Sequence, residues 1–223
     1  MSDNLRVGVL ASGSGTDLQS IIDASEQEKI DAEVVVVISD NEDAKALKRA
    51  QHHMISAFFA DPKEKKREDH EQEIDSILRK KKVDLVVGAG YMRLLSPAFV
   101  KKWKHKLINI HPALLPSFKG VNGQGDALDY GVKIAGCTTH FMDENMDHGP
   151  IILQAAVVVQ HDDTRDTLAS RILDVEHQIL PRTIQLFAEK RLHISGRKVT
   201  ITPGDTWKDT YDLLPDVLYA EGY

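Results

Sequence analysis

A single cysteine, Cys137, stands in 223 residues. A lone thiol closes no intrachain disulfide and excludes any four-cysteine metal site. The chain therefore reads as a protein of the reducing cytoplasm, with Cys137 as a small buried hydrophobe. Long apolar runs are also missing. No stretch approaches the ~18 residues that a membrane span needs, and Met1-Ser2-Asp3-Asn4-Leu5-Arg6 shows no basic segment leading into an apolar core. Neither membrane insertion nor secretion is expected. Basic charge is in deficit: 28 Lys plus Arg face 34 Asp plus Glu, a formal charge of −6. Such a field does not favour nucleic acid, and an anionic small molecule would need a local pocket of cations or backbone amides. Internal repeats, low-complexity tracts and linkers are absent as well, which leaves one large domain, or one domain with a small appendage, burying roughly 70% of its unfolded surface.

What is present is an alternation of short apolar runs and amphipathic stretches. Leu5 to Leu10 reads as a strand, Gly13-Ser14-Gly15-Thr16 as a tight loop, and Leu18, Ile21 and Ile22 as the inner stripe of a helix. Glycines let backbone N–H groups approach an anion, and a helix N-terminus carries about half a positive charge, so this unit suits a phosphate. The four valines from Val34 belong to a strand, Ala32 to Ile38, buried on both faces, as in a parallel sheet. A helix over Ala44 to His52 and a short strand over Ser56 to Phe59 follow. Lys63 to Lys82 is a charged helical stretch with Ile74, Ile77 and Leu78 inward, and Val83 to Ala89 is another strand. Ser96-Pro97 reads as an N-cap with proline at the first helical position.

Farther along, Gly120, Gly123 and Gly125 mark a loop before a short helix near Ala127 to Tyr130. Strands are expected over Ala135 to Met142 and Ile151 to Gln160, joined by an acidic turn segment. Asp163 and Thr164 cap a long helix with Leu168, Ile172, Val175 and Ile179 inward, interrupted by Pro181 and continued by Ile184 and Phe187. After it, Val199 to Ile201 reads as a strand, and Trp207, Tyr211 and Leu213 would tie down the tail. The pattern predicts an α/β fold: a doubly wound, mostly parallel sheet with helices on both faces, its ligand crevice outside the strands' C-terminal ends.

The stretch Asn109-Ile110-His111-Pro112-Ala113-Leu114-Leu115-Pro116 carries the chemistry. It ends a predicted strand, Leu107 to Ile110, and period-two alternation aims Asn109 and His111 at the same side of the sheet. Pro112 withdraws a donor and stops the strand, giving a stiff mount for a proton-handling imidazole. Taken alone, a histidine is more often a satisfied core or surface residue; the strand-end Asn-x-His pair is what points to catalysis.

Four segments, 11–19, 89–96, 109–118 and 147–154, resemble in order and spacing the folate-dependent phosphoribosylglycinamide formyltransferases of purine biosynthesis. The resemblance covers about residues 5 to 193, implying a formyltransferase domain over 1–193 and a C-terminal extension, 194–223, packed on it. It implies transfer of a formyl group from 10-formyltetrahydrofolate, as co-substrate, to the amine of phosphoribosylglycinamide, with no metal. In that chemistry Asn109 and His111 stabilise the oxyanion, an effect of ~10²–10³ per donor, and His111 handles protons with Asp147 holding it charged. Gly15, Thr16 and Asp17 would hold the phosphoribosyl group, with Glu176 near the ribose hydroxyls. Arg67, Met92, Arg93, Leu94, Leu95 and Asn109 would form the folate side, and His140 would stand behind the residues that meet the substrates.

Two positions depart from the family's pattern. Asn is usual where Asp17 stands; an acid there would repel a phosphate unless it caps the helix and faces away, and the cap is the expectation. A histidine is usual within the stretch here occupied by residues 120–125.

Other readings compete. A formyltetrahydrofolate deformylase shares Asn109, His111 and Asp147 but is expected to carry an additional N-terminal domain. Methionyl-tRNA formyltransferase would need a longer chain with a basic C-terminal module, and the tail here carries Asp205, Asp209, Asp212, Asp216 and Glu221. Gly13-x-Gly15 with Asp40 outlines a dinucleotide site, but Leu18 replaces the third glycine. His111, His140 and Asp147 as metal ligands lack helical i, i+4 spacing. The partners implied are small molecules only, without nucleic acid or membrane, and a homodimer is allowed.

Overall fold

The apolar runs become neighbouring strands in the computed structural model, which describes residues 4–203, 214 and 217–219. In chain order the elements are β1 (Leu5–Leu10), α1 (Thr16–Glu26), β2 (Ala32–Ser39), α2 (Lys45–His52), β3 (Ser56–Phe59), α3 (Arg67–Lys80), β4 (Leu85–Gly88) and α4 (Pro97–Lys102). They continue with β5 (Leu107–His111), α5 (Gly123–Tyr130), β6 (Ile134–Phe141), β7 (Ile151–Val158), α6 (Arg165–Ala188), β8 (Leu192–Ser195), β9 (Lys198–Ile201) and β10 (Val217–Tyr219). Eight strands form one sheet in the order β10-β7-β6-β5-β4-β1-β2-β3, and β8 and β9 form a separate hairpin. Strands β1 to β5 are mutually parallel; β6, β7 and β10 run antiparallel to their neighbours. The order reverses between β1 and β4, with β2 on one side and β5 on the other. The crevice of a doubly wound sheet opens at such a point.

Each face of the sheet has its own core. Val7, Val9, Leu85 and Val87 pack with Leu18, Ile21, Leu168, Ile172 and Ile179 of α1 and α6. Leu10, Val36 and Val86 pack with Ile74 and Leu78 of α3 and Phe99 and Trp103 in and after α4. Gly8 makes the second layer close: a Cβ there would lie 2.6 Å from Leu78 Cδ2. The caps form as expected. Ser96 Oγ accepts the Phe99 N–H at 3.2 Å, with Pro97 at N1. Thr164 and Thr167 exchange side-chain and backbone bonds in a capping box, while Asp163 binds Arg171, whose guanidinium holds its carboxyl well below the usual range.

The structure corrects several expectations. Gly123 and Gly125 lie inside α5 and not in a loop. Pro181 does not interrupt α6, which runs 24 residues through it; packing of its apolar face on both α1 and β6 outweighs one lost backbone bond. The strand at 198–201 has a partner, β8, that the sequence pattern did not reveal, and this hairpin spans the 193/194 boundary. Strand β10 adds to β7 through Val217–Tyr219. Trp207, Tyr211 and Leu213 lie outside the described residues.

Candidate active site

The C-terminal end of β5 projects Asn109 and His111 into one pocket of about 330 Å³ at the point where the strand order reverses. Asn109 fits there because β4 ends in glycine: a Cβ on Gly88 would lie 2.7 Å from Asn109 Oδ1. The antiparallel neighbour β6 sets His140 directly across from Asn109. His140 is buried and its Nδ1 meets the Phe141 carbonyl at 3.0 Å, so Nδ1 carries the hydrogen. Burial lowers its pKa, keeping the ring neutral and leaving the Nε2 lone pair to accept from Asn109 Nδ2 at 3.4 Å. One amide hydrogen of Asn109 is thereby fixed, and the other is free to meet an oxygen.

His111 is 3% exposed. Its Nε2 donates to the Phe118 carbonyl at 2.8 Å, which leaves Nδ1 to face Asp147. That nitrogen lies 3.6 Å from Asp147 Oδ2, while Asp147 Oδ1 is 3.9 Å from His140 Nε2. Asp147 adopts a left-handed φ of 47° and accepts the Gly120 N–H at 2.8 Å, which pins the segment between β6 and β7 over the strand ends. A single carboxylate thus faces two imidazoles.

At one end of the pocket lie Met92, Arg93, Leu94 and Leu95, with Met92 and Leu94 exposed despite their apolar side chains. The segment before α4 is held from below by Glu71, buried on α3, which accepts both the N–H (2.6 Å) and the hydroxyl of Ser96. Across the pocket stand Asp17 and Glu176. Asp17 does not cap α1, contrary to the sequence expectation: the cap position is Gly15, in a left-handed conformation, and Asp17 Oδ1 is buried without a hydrogen-bond partner. Burial pushes the Asp17 carboxyl up to about 6, and Glu176 is raised well above the carboxylate range by burial and by the adjacent Asp17 charge.

Between β1 and α1 the glycine loop is built from outside. Ala46 N–H donates to the Gly13 carbonyl at 3.1 Å and Arg49 Nε to the Ser14 carbonyl at 2.9 Å. With these carbonyls turned toward α2, the backbone N–H groups of residues 13–18 donate no hydrogen bond among the described residues. Gly15 is obligatory here, since a Cβ would lie 2.8 Å from Ala46.

Comparison with known proteins bears on this arrangement. The formyl transferase family model matches residues 5–184. The chain belongs to the formyl transferase family. It is similar to a phosphoribosylglycinamide formyltransferase of Bacillus subtilis (strain 168), 39% identical over 81% of this chain and 93% of the relative. It is 44% identical, over 82% of its length, to part of the Homo sapiens trifunctional purine biosynthetic protein adenosine-3, of which it spans 18%. A crystal structure of glycinamide ribonucleotide transformylase 1 from Symbiobacterium toebii superposes with a TM-score of 0.89 at 46% identity, covering 91% of this chain and 96% of that one.

Within this formyl transferase, the pocket gathers Asp17, Met92, Arg93, Leu94, Leu95, Asn109, His111, His140, Asp147 and Glu176. Gly15 and Thr16 do not line it; Thr16 faces a neighbouring cleft with Arg49 and His177. Arg67 opens α3, exposed, and does not line the pocket either. Sequence reasoning missed Gln124, whose Oε1 is buried without a partner beside the pocket, and Asp143 and Asn145 on the loop after β6. A lone glutamine in a glycine-rich stretch carries no signal that would have found it. Asp40, the acid of the dinucleotide reading, accepts the Ser12 hydroxyl at 2.6 Å. Among the described residues no group of three or more His, Cys, Asp or Glu is arranged to hold a metal ion, and no helix is long and apolar enough to cross a membrane.

Proposed function

We propose that this formyl transferase moves the formyl group of 10-formyltetrahydrofolate onto the amine of phosphoribosylglycinamide, a step of purine biosynthesis, in the cytoplasm. The observation that carries the reading is the convergence of an oriented Asn109 amide, a His111 ring with Nδ1 uncommitted, and Asp147 in one pocket. The amine nitrogen bonds to the formyl carbon and the carbonyl oxygen becomes an oxyanion. The carbon's bond to the folate nitrogen then breaks, while the amine loses one proton and the folate nitrogen gains one. The free hydrogen of Asn109 meets that oxyanion, and preorganised donors of this kind are worth about 10²–10³ in rate. His111 handles protons at Nδ1, with Asp147 as the charge that favours the imidazolium as it forms.

The subsites follow from shape and charge. Met92 to Leu95 offer apolar walls and backbone groups to the pterin, and Asn109 lies at its reactive end; Arg67 would reach only an extended folate tail, to meet its carboxylate. The amides of residues 13–18 offer the phosphate a cradle through Gly15 and Thr16, with Asp17 between it and the ribose and Glu176 at the ribose hydroxyls. The test is to supply 10-formyltetrahydrofolate with and without phosphoribosylglycinamide and follow the folate spectrum. Turnover only with the acceptor supports the transferase. Turnover without it identifies a deformylase, and no turnover in either mixture refutes the reading.

A further inference from the structure

Ser12 belongs to neither proposed subsite, yet every polar group it owns is engaged. Its N–H donates to the Gly90 carbonyl at 3.0 Å, and its carbonyl accepts from Asn41 Nδ2 at 3.3 Å. Its hydroxyl donates to Asp40 Oδ1 at 2.6 Å and accepts the Met92 N–H at 2.9 Å. A carboxylate only accepts, so Asp40 commits the hydroxyl hydrogen and turns a lone pair toward Met92. The geometry extends the β1–β4 pairing past the strand ends. Ala89 N–H meets the Leu10 carbonyl at 2.9 Å, Gly90 turns the chain at a φ of 71°, and Met92 returns to the Ser12 side chain.

The position of this residue is what gives the bonds a consequence. Ser12 directly precedes Gly13, the first residue of the amide-rich loop whose carbonyls α2 holds back. Met92 directly opens the segment that walls the other end of the pocket. Any shift of the 13–18 loop as its amides close on an anion moves Ser12, and Ser12 moves the 90–92 turn through two bonds, its N–H to the Gly90 carbonyl and its hydroxyl oxygen to the Met92 N–H. Asp40 directly follows β2, and its bond sets which way the hydroxyl points while Ser12 itself follows the loop.

We infer that Ser12, with its hydroxyl oriented by Asp40, is a positioning residue that couples the phosphoribosyl loop to the folate loop, so that each substrate tightens binding of the other. This rests on the function proposed above. The coupling is reciprocal by linkage, so either substrate can be the one titrated.

Calorimetry of phosphoribosylglycinamide binding, with and without saturating tetrahydrofolate, reads it directly on the whole protein. Wild type should bind the phosphoribosyl substrate about five- to tenfold more tightly when the folate is present. In Ser12→Ala the ratio should fall to about one, with both ligands still bound. Asp40→Asn, which retains a side-chain carbonyl to accept the hydroxyl, should keep the ratio, and Asp40→Ala should lose it while leaving Ser12 in place should Ser12→Ala not fold. A merely structural serine would lower Tm without touching the ratio. A wild-type ratio of one, or a wild-type ratio in both Ser12→Ala and Asp40→Ala, overturns the inference. If neither ligand binds wild type, the proposed function fails and the coupling with it.

Discussion

Replacing Asp17 with Asn should stabilise the protein at neutral pH and change little in acid. Asp17 enters α1 with its carboxyl turned into the protein: one oxygen is buried without a hydrogen-bond partner, and the nearest base, His177 Nε2, lies 3.8 Å away. Burial lowers the His177 pKa, so that ring supplies no cation near pH 7, and Glu176 beside it adds a second acid. Burial raises the Asp17 carboxyl from 3.8 to about 6. The folded state therefore holds this proton more tightly than the unfolded chain. Stability from it is fully present below about pH 4, declines as pH rises from about 4 to about 6, and stays low above that. The loss at pH 7.5 comes to about 3 kcal/mol at most, since the side chain keeps 14% exposure and water screens part of the charge. Asn keeps the volume and cannot ionise. Urea unfolding of both proteins at pH 4 and pH 7.5 checks this: the mutant should gain about 1–3 kcal/mol at pH 7.5 and under about 1 kcal/mol at pH 4. An equal gap at the two pH values, or a mutant less stable at pH 7.5, would refute the account of Asp17 as a destabilising buried acid.

His111→Ala should lower kcat about 10²–10⁴-fold while KM for the folate stays within a few-fold, as measured by steady-state kinetics; a near-normal kcat would remove it from the chemistry. Asp147→Asn keeps an acceptor for the Gly120 N–H, so Tm should hold within a few degrees while kcat drops at least about tenfold. An unchanged kcat with a lowered Tm would make Asp147 a turn residue only. Gly88→Ala would set a methyl 2.7 Å from Asn109 Oδ1 and displace the amide; kcat should fall about 10²-fold with the circular dichroism spectrum retained. Normal turnover in this variant would show that Asn109 is not the oxyanion donor.

Where an element could be read from its own residues, the sequence revealed it. Four valines mark β2, Ser96-Pro97 marks the start of α4, and Asn109-x-His111 stands at the mouth of the crevice because strand alternation is a local property. What escaped depends on partners far away in the chain. Strand β8 has only four residues and exists because β9 pairs with it. Pro181 ends helices in general, and only the packing of α6 on α1 and β6 overrides that rule. The orientation of Asp17 is of the same kind. Nothing in the neighbouring sequence distinguishes a cap from an acid turned inward toward Glu176, a residue 159 positions away. The chain's belonging to a formyl transferase family was carried by motif spacing, whereas the exclusion of Arg67 and Thr16 from the pocket required coordinates.

Strand order also governs how the chain assembles. β1 occupies the interior of the sheet, between β2 and β4, and its pairing with β4 joins Val7 to Leu85 and Leu10 to Gly88. A nascent chain that has not yet extended past residue 88 leaves one apolar edge of β1 unpaired, with Val7, Val9 and Leu10 waiting for a strand some 78 residues downstream. Parallel pairings over such separations close slowly, and an open, apolar strand edge is where chains associate with one another. Fragments cut before β4 should thus aggregate, whereas fragments that include residues 85–88 have the means to seal that edge.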